Sequence, residues 1–503
     1  MTVDRTSDAA AEVLGILDDL FGELARRGVR CCHWKSNSHL AAAARGETDL
    51  DLLVDRTRVH EFRQVAADLD FTRVRAAPGK HYPGVENHLG FDKATGRLVH
   101  LHVHYDLVLG QQHVKDHRLP VEEQVLESVT ELDGVPVPAP ELELIILALR
   151  AVLKYRLRDA LKDASGIGSS GIPGPIRDEA AWLLGLTSPD AVRTALAALG
   201  PVVPAAPVTE IIGRLTSPRA RGLRLLVLRE QIRATLRPLR RVPRTHATAR
   251  YLLALCRKRS RRAGITTKRR MTLSDGGTTI GIVGSDGAGK STLIAALEEW
   301  LAWRLDVRTL YMGIPEAGAA RWLLKRASRL TRAAGRRLDG TGDSGAGRAL
   351  RAVGDLALAL RRVSEAGSRV ARHRQGLRHA ARGAVVLFDR YPLPAASVAG
   401  RAMDGARLEH EIAPLRNRLV AWLARCERGL YDRVAPPRHL LALNVSVEES
   451  LRRKPDHDPD GIAAKTTAIQ GLASSDTDVV VVDADQPADH VLAEVKARIW
   501  TWL

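Results

Sequence analysis

At 503 residues the chain exceeds what one hydrophobic core usually serves, so two folded domains plus connecting structure are expected. Hydrophobic residues make up 45% and charged residues 27%, a globular composition; Cys31, Cys32, Cys256 and Cys426 show neither CxxC nor zinc-type spacing, so neither a disulfide framework nor a structural metal is indicated. The formal net charge of +18 and pI near 10.2 suit a polyanion such as nucleic acid, an acidic membrane surface or a phosphorylated substrate, although GC-rich coding also yields such an Ala/Arg/Leu/Gly-rich chain.

Leu14, Leu17, Leu20, Phe21 and Leu24 recur at helical spacing and predict an amphipathic opening helix ending near Arg27 and Gly28. Acids run through this pattern, unlike the basic start and unbroken apolar run of a signal peptide, and no stretch reaches the ~18 apolar residues of a membrane span. A reducing, cytoplasmic location is expected. The stretch VRCCHWK reads as a strand, followed by a strand over 50–54, a helix over 59–69 and a hairpin over 90–109 that turns at Lys93 to Gly96. Strand alternation puts Asp49 and Asp51 on one face, where two carboxylates suit divalent metal binding. It likewise aligns His100, His102, His104 and Asp106, a set that suits either a metal or a polar sheet face.

Helices dominate 140–199, with a Gly/Ser/Pro-rich loop over 166–175. From 214 to 270 basic residues crowd together with Glu230 as the sole acid, a basic helical connector that reads either as a solvated face or as a polyanion-binding surface. Ser274-Asp-Gly-Gly277 marks a turn before the last domain. The expected division is a smaller α+β domain over 1–135, a helical region with the basic connector over 136–272, and an α/β domain over 273–503.

The segment TTIGIVGSDGAGKSTLIAALEEWL is a β-branched strand, a glycine-rich turn and an amphipathic helix, and it fits GxxxxGK[ST] in letters and context. Gly284, Ser285, Asp286, Gly287, Ala288, Gly289, Lys290, Ser291 and Thr292 form the loop. Its glycines let backbone N–H groups approach phosphate oxygens, and the helix start adds partial positive charge. Lys290 is the expected partner of the β- and γ-phosphates of ATP, and the Ser291 hydroxyl a ligand of Mg2+. A buried strand ending in Asp389-Arg390-Tyr391 places Asp389 where an acid holds magnesium and Arg390 where a guanidinium clamps an acceptor phosphate. Strands over 307–312, 439–445 and 479–483, with helices over 447–453 and 487–502, complete the βα alternation of a doubly wound parallel sheet.

GSDGAGKST, the strand-end DRY, PPRHLLALNVSVEESLRRK and the closing VVVVDADQPADHVLAEVKARIW together resemble thymidylate kinase and its relatives among the P-loop nucleoside-monophosphate kinases, over roughly 281–503. The resemblance implies an ATP- and Mg2+-dependent phosphotransferase acting on a phosphorylated, nucleotide-like small molecule. It implies Asp286 near the acceptor's sugar, Asp389 at the magnesium site, Arg390 on the acceptor phosphate, and Arg452, Arg453 and Lys454 in a lid over ATP, although these last three also read as a basic helix C-terminus that complements the helix dipole. It also implies a homodimer. Where the family carries an Arg-Glu-Pro-Gly segment, this chain has LYMGIPEAG and then an arginine-rich helical insert over 313–382. The insert either remodels the acceptor site for a larger substrate or is a solvated flap.

Residues 31–109, with His33-Trp-Lys-Ser-Asn37 before Asp49-Leu-Asp51, resemble the nucleotidyltransferase superfamily, which implies that Asp49 and Asp51 hold one or two divalent metals. Lys35-Ser36-Asn37 stands where that family has a Gly-Ser turn, and His102 or Asp106 stands in for its third acid. A second function class is a nucleic-acid end-processing protein that uses the basic connector and insert, and a third is a nucleotide-gated binding protein.

Overall fold

An alternating apolar–polar pattern before residue 110 and a βα repeat after 277 build two separate sheets. The computed structural model describes residues 13–503 apart from 78, 112–113, 166–171, 218–221, 264–269, 314–318, 340–344, 399–400, 413, 416, 457 and 476–478. Most of the expected loop at 166–175 and parts of the insert therefore lie outside the described residues. The chain divides into a first unit, Met1–Met271, and a second, Thr272–Leu503.

In the first unit α1 (Gly15–Arg26) turns Leu17, Leu20, Phe21 and Leu24 inward, as its 3.6-residue period requires. Strands β1 (Cys31–His33), β2 (Asp49–Val54), β3 (Thr72–Arg75), β4 (Val85–Asp92) and β5 (Arg97–His104) lie in the order β1-β2-β5-β4-β3. Helix α2 (Val59–Asp68) joins α1 on one face, where Phe62 and Val65 meet Leu50, Leu52, Val54, Val99, Leu101 and Val103. The two-residue strand period turns Asp49, Asp51, His100, His102 and His104 to the opposite face. Strands β2 and β5 run parallel, with Asp49 opposite His100 and Asp51 opposite His102, so the register brings acids and imidazoles side by side.

A second core of this unit forms around α3 (Pro140–Lys154), which buries eleven residues from Leu142 to Leu153, and it takes in Cys32, Trp34 and Leu53. Helix α4 (Gly174–Leu186) adds Ala180 and Leu183, and α5 (Gly222–Thr235) adds Leu225, Leu228 and Ile232. The expected connector is thus partly core. Two of its arginines, Arg233 and Arg240, stand 3.8 Å from the buried carboxylate of Asp116.

In the second unit β6 (Thr278–Gly284), β7 (Val307–Tyr311), β8 (Val385–Asp389), β9 (His439–Asn444) and β10 (Val479–Asp483) form an all-parallel sheet in the order β7-β8-β6-β9-β10. Parallel strands need crossovers, and α6 (Lys290–Ala302), α7 (Ala319–Asp339), α8 (Gly345–Ala380), α9 (Arg418–Tyr431), α10 (Val447–Arg453), α11 (Pro459–Ser475) and α12 (Ala488–Trp500) lie between or after them. Val386, Phe388, Leu440 and Ala442 pack with Val370 of α8 and Ile469 of α11. Their neighbours Val385, Leu387, Leu441 and Leu443 point to the other face, while α6 and α12 contact each other, α6 contacts β6 and α12 contacts β10. The order of strands reverses at β6, which puts the carboxyl ends of β6, β8 and β9 around one crevice.

Candidate functional site

The loop leaving β6 enters that crevice. Gly287 and Gly289 hold φ of 90° and 82°, a left-handed backbone that glycine adopts without the steric cost of a Cβ. Gly289 is the N-cap of α6, and Lys290 is the helix's first residue. The turn therefore presents the unpaired N–H groups of a helix start, and with them its partial positive charge.

Lys290 is buried, and its Nζ donates to Gly284 O at 2.9 Å and Ser285 O at 2.6 Å. Burial pushes its ammonium down to about 8, with Arg390 and Lys465 adding repulsion and Asp286 opposing it. Asp286 is ion-paired with Lys465 of α11 at 2.6 Å and lies 3.7 Å from Arg390. Burial opposes ionisation of Asp286, yet Lys465, Lys290 and Arg390 outweigh it and hold the carboxyl below its usual range. Arg390 follows β8 with φ of 60°, unusual outside glycine, and its guanidinium stands over the Tyr311 ring at 5.9 Å. Asp389 Oδ1 is buried without a hydrogen-bond partner among the described residues, and burial raises its carboxyl despite Arg390 and Lys290. An acceptor oxygen at a strand end beside the loop suits a hard cation, so Asp389 fits the expected Mg2+. Ser291 is exposed at the helix start.

Val283, Gly284, Asp286, Lys290, Arg390, Met403, Asp404 and Lys465 line one pocket. Arg453 of α10 reaches the glycine loop, with a nitrogen 3.5 Å from Gly287 O and another 3.0 Å from Ala484 O. Arg452 pairs with Glu449, as Arg453 also does, and stands in solvent. The Ser450 hydroxyl donates to Asp286 O, tying α10 to the loop.

The insert reaches the site through one buried arginine. Arg369 of α8 donates to Met312 O and Asp404 O, each at 2.6 Å, and to the Tyr431 hydroxyl. It thereby fixes the chain after β7 and the pocket-lining Asp404. Further along the insert, Trp322, Leu323 and Leu330 of α7 are exposed. The insert hence braces a residue that lines the pocket without itself lining it among the described residues. Lys465, Asp404 and Arg369 carried no sequence signal, because nothing local distinguishes them from other charged residues on helices and turns.

The polar face of the first unit gathers a second set of groups. Asp51 Oδ1 lies 2.7 Å from Lys35 Nζ, 2.7 Å from His102 Nδ1 and 3.4 Å from His104 Nε2. Burial works against its charge, but Lys35 and then the two histidines hold the carboxyl well below its usual range. Burial also depresses both imidazoles, which favours their neutral form. Asp49 is apart from this set: its half-exposed carboxylate takes His100 Nδ1 at 2.8 Å. Asp106 pairs with Arg56 and Arg118 and does not join the cluster. Ser36 holds φ of 63°; its N–H donates to Glu179 at 3.1 Å and that of Asn37 to Glu143 at 3.1 Å, so two helix carboxylates brace the Lys35-Ser36-Asn37 turn.

No family model matches the chain. Over 222 residues, 44% of this chain and 86% of the relative, it is 27% identical to YghR of Escherichia coli (strain K12), described as an uncharacterized ATP-binding protein. Over 216 residues, 42% of this chain and 88% of the relative, it is 28% identical to YghS of the same strain, described in the same words. A deoxyadenosine kinase from M.mycoides, solved with bound dATP, aligns with 44% of this chain and 98% of its own at 13% identity and a TM-score of 0.27, too low to support an argument about fold or function.

Proposed function

We propose that the second unit is an ATP- and Mg2+-dependent phosphotransferase of the thymidylate and nucleoside-monophosphate kinase type, acting on a phosphorylated, nucleotide-like acceptor. The observation that carries this reading is the left-handed turn of Gly287 and Gly289 leading into Lys290 at the first position of α6, beside the Asp389 oxygen that has no partner among the described residues. Two relatives described as ATP-binding, each matched over more than four fifths of its length, support the nucleotide. The loop N–H groups and Lys290 receive the donor's phosphates. Arg390 takes the acceptor phosphate, and Asp286, held by Lys465, meets the acceptor's polar groups. Ser291 and Asp389 hold magnesium, which when bound neutralises phosphate charge. Phosphoryl transfer asks little covalent chemistry of the protein, so the rate comes from bringing two phosphates together in a charged, partly desolvated pocket.

The first unit is proposed as a nucleotidyltransferase-like domain, supported by the acids that share one face of β2. Incubation with γ-labelled ATP, magnesium and a panel of nucleoside monophosphates, phosphosugars and oligonucleotides tests the kinase. Label is expected on a nucleoside monophosphate; release to water alone, or no affinity for triphosphates, sinks the reading.

A further inference from the structure

The expected metal pair in the first unit was Asp49 with Asp51. The geometry selects different partners for Asp51, and the reason is register. Asp51 stands opposite His102 on neighbouring parallel strands, and His104, two residues on, shares the face. Three donor atoms, Asp51 Oδ1, His102 Nδ1 and His104 Nε2, consequently converge, with separations of 2.7, 3.2 and 3.4 Å. The three can act as ligands to one ion, since every ligand atom lies within 4.8 Å of the others.

We propose that Asp51, His102 and His104 form a three-ligand site for a borderline transition-metal dication such as Zn2+. Bonds of about 2.0–2.2 Å in tetrahedral array place ligand atoms roughly 3.3–3.6 Å apart. The two separations that involve His104 Nε2 are already close to that spacing, and the third needs to open by about half an ångström from hydrogen-bond distance. Two imidazoles and one carboxylate favour zinc-like ions over magnesium or calcium, which prefer all-oxygen shells.

The surroundings hold the donors in place. His104 is fully buried, and its ring packs edge-on against Trp34 at 5.1 Å and His102 at 4.4 Å. The ammonium of Lys35 sits at Asp51 Oδ1, where a cation belongs, and the second carboxylate oxygen can receive it when an ion takes the first. Three protein ligands leave a fourth position for water or an anionic ligand, as in catalytic rather than structural zinc sites.

The test is metal binding by the chelator-treated full chain, followed by equilibrium dialysis against Zn2+ and Co2+. One ion per chain is expected beyond whatever a His102→Ala/His104→Ala variant retains, with affinity in that variant weaker by more than ~100-fold. Asp49→Asn and Lys290→Ala should each leave that ion bound. Because His104 is buried and its variant can misfold, X-ray absorption at the zinc edge of the wild-type protein supplies a second measurement. Scattering from two imidazoles supports the site. An all-oxygen shell, equal binding by the double variant, or loss of the ion in Asp49→Asn overturns it.

Discussion

Lys290 ties the chemistry of the second unit to pH. Its ammonium, pushed down to about 8 by burial, loses its proton within a range where an exposed lysine keeps it. A triphosphate needs the charged form, so nucleotide affinity is expected to fall as pH rises through about 8, and binding above that pH should take up a proton. Calorimetry in buffers of different ionisation heat would show it; an affinity flat across this range would count against Lys290 as the phosphate ligand. In the free protein the sign is the reverse. Between about 8 and 10.5 the unfolded chain binds the proton that the folded chain has released, and stability rises with pH. Lys290→Ala should lower phosphotransfer by on the order of 100-fold or more with the fold kept, although leaving Gly284 O and Ser285 O without their donor also lowers the melting temperature somewhat. Undiminished transfer by that variant would remove the assignment.

The loop was legible at this scale because its requirements are local. A strand, glycines at fixed offsets, a lysine and a helix leave their pattern in consecutive letters. Lys465 was not legible, because it reaches Asp286 from a helix 179 residues downstream. The imidazole–carboxylate pairing in the first unit was half legible: alternation put the acids together on one face of their strand and the histidines together on one face of theirs, but could not show that β2 and β5 are neighbours.

Among elements, the loop and α10 are fitted to each other. A Cβ on Gly287 would come 2.8 Å from Ser450 Oγ and 2.9 Å from Ser450 O, whereas one on Gly289 meets nothing within 4 Å. Both positions carry backbone strain of about 1–2 kcal/mol once a side chain is present. Gly287→Ala should therefore weaken nucleotide binding more than Gly289→Ala, by at least ~10-fold or about 1.4 kcal/mol. Equal losses in titrations of the two variants would show that α10 yields freely. For α8 the arginine-rich composition suggested two opposite roles, a remodelled site or a flap, and composition cannot separate them because both tolerate arginine. Burial separates them. Arg369→Met leaves at least two carbonyls without their donor, at roughly 1–3 kcal/mol each, and a fall in thermal stability is expected. A variant that melts like the parent would return the insert to the surface.

For the whole molecule, each unit has cores of its own, α1–β5 and α3–α5 in one and the parallel sheet in the other. A ligand stabilises only what it binds, by about 2.7 kcal/mol at a hundredfold excess over Kd. Scanning calorimetry with ATP and magnesium should thus raise the melting of the second unit and leave the first in place; a joint shift would mean the two unfold as one. The net charge of +18 remains a weak guide at this scale, because several of its arginines already face buried acids such as Asp116. Among the described residues no helix is long and apolar enough to cross a membrane.

The bond from the Ser450 hydroxyl to Asp286 O and the ion pair of Asp286 with Lys465 brace the glycine turn from two helices, α10 and α11. A mould already set has little disorder to surrender on filling. Association should accordingly bring only a small heat-capacity change, and truncated ligands, down to inorganic triphosphate, should keep most of the affinity that the cradle supplies.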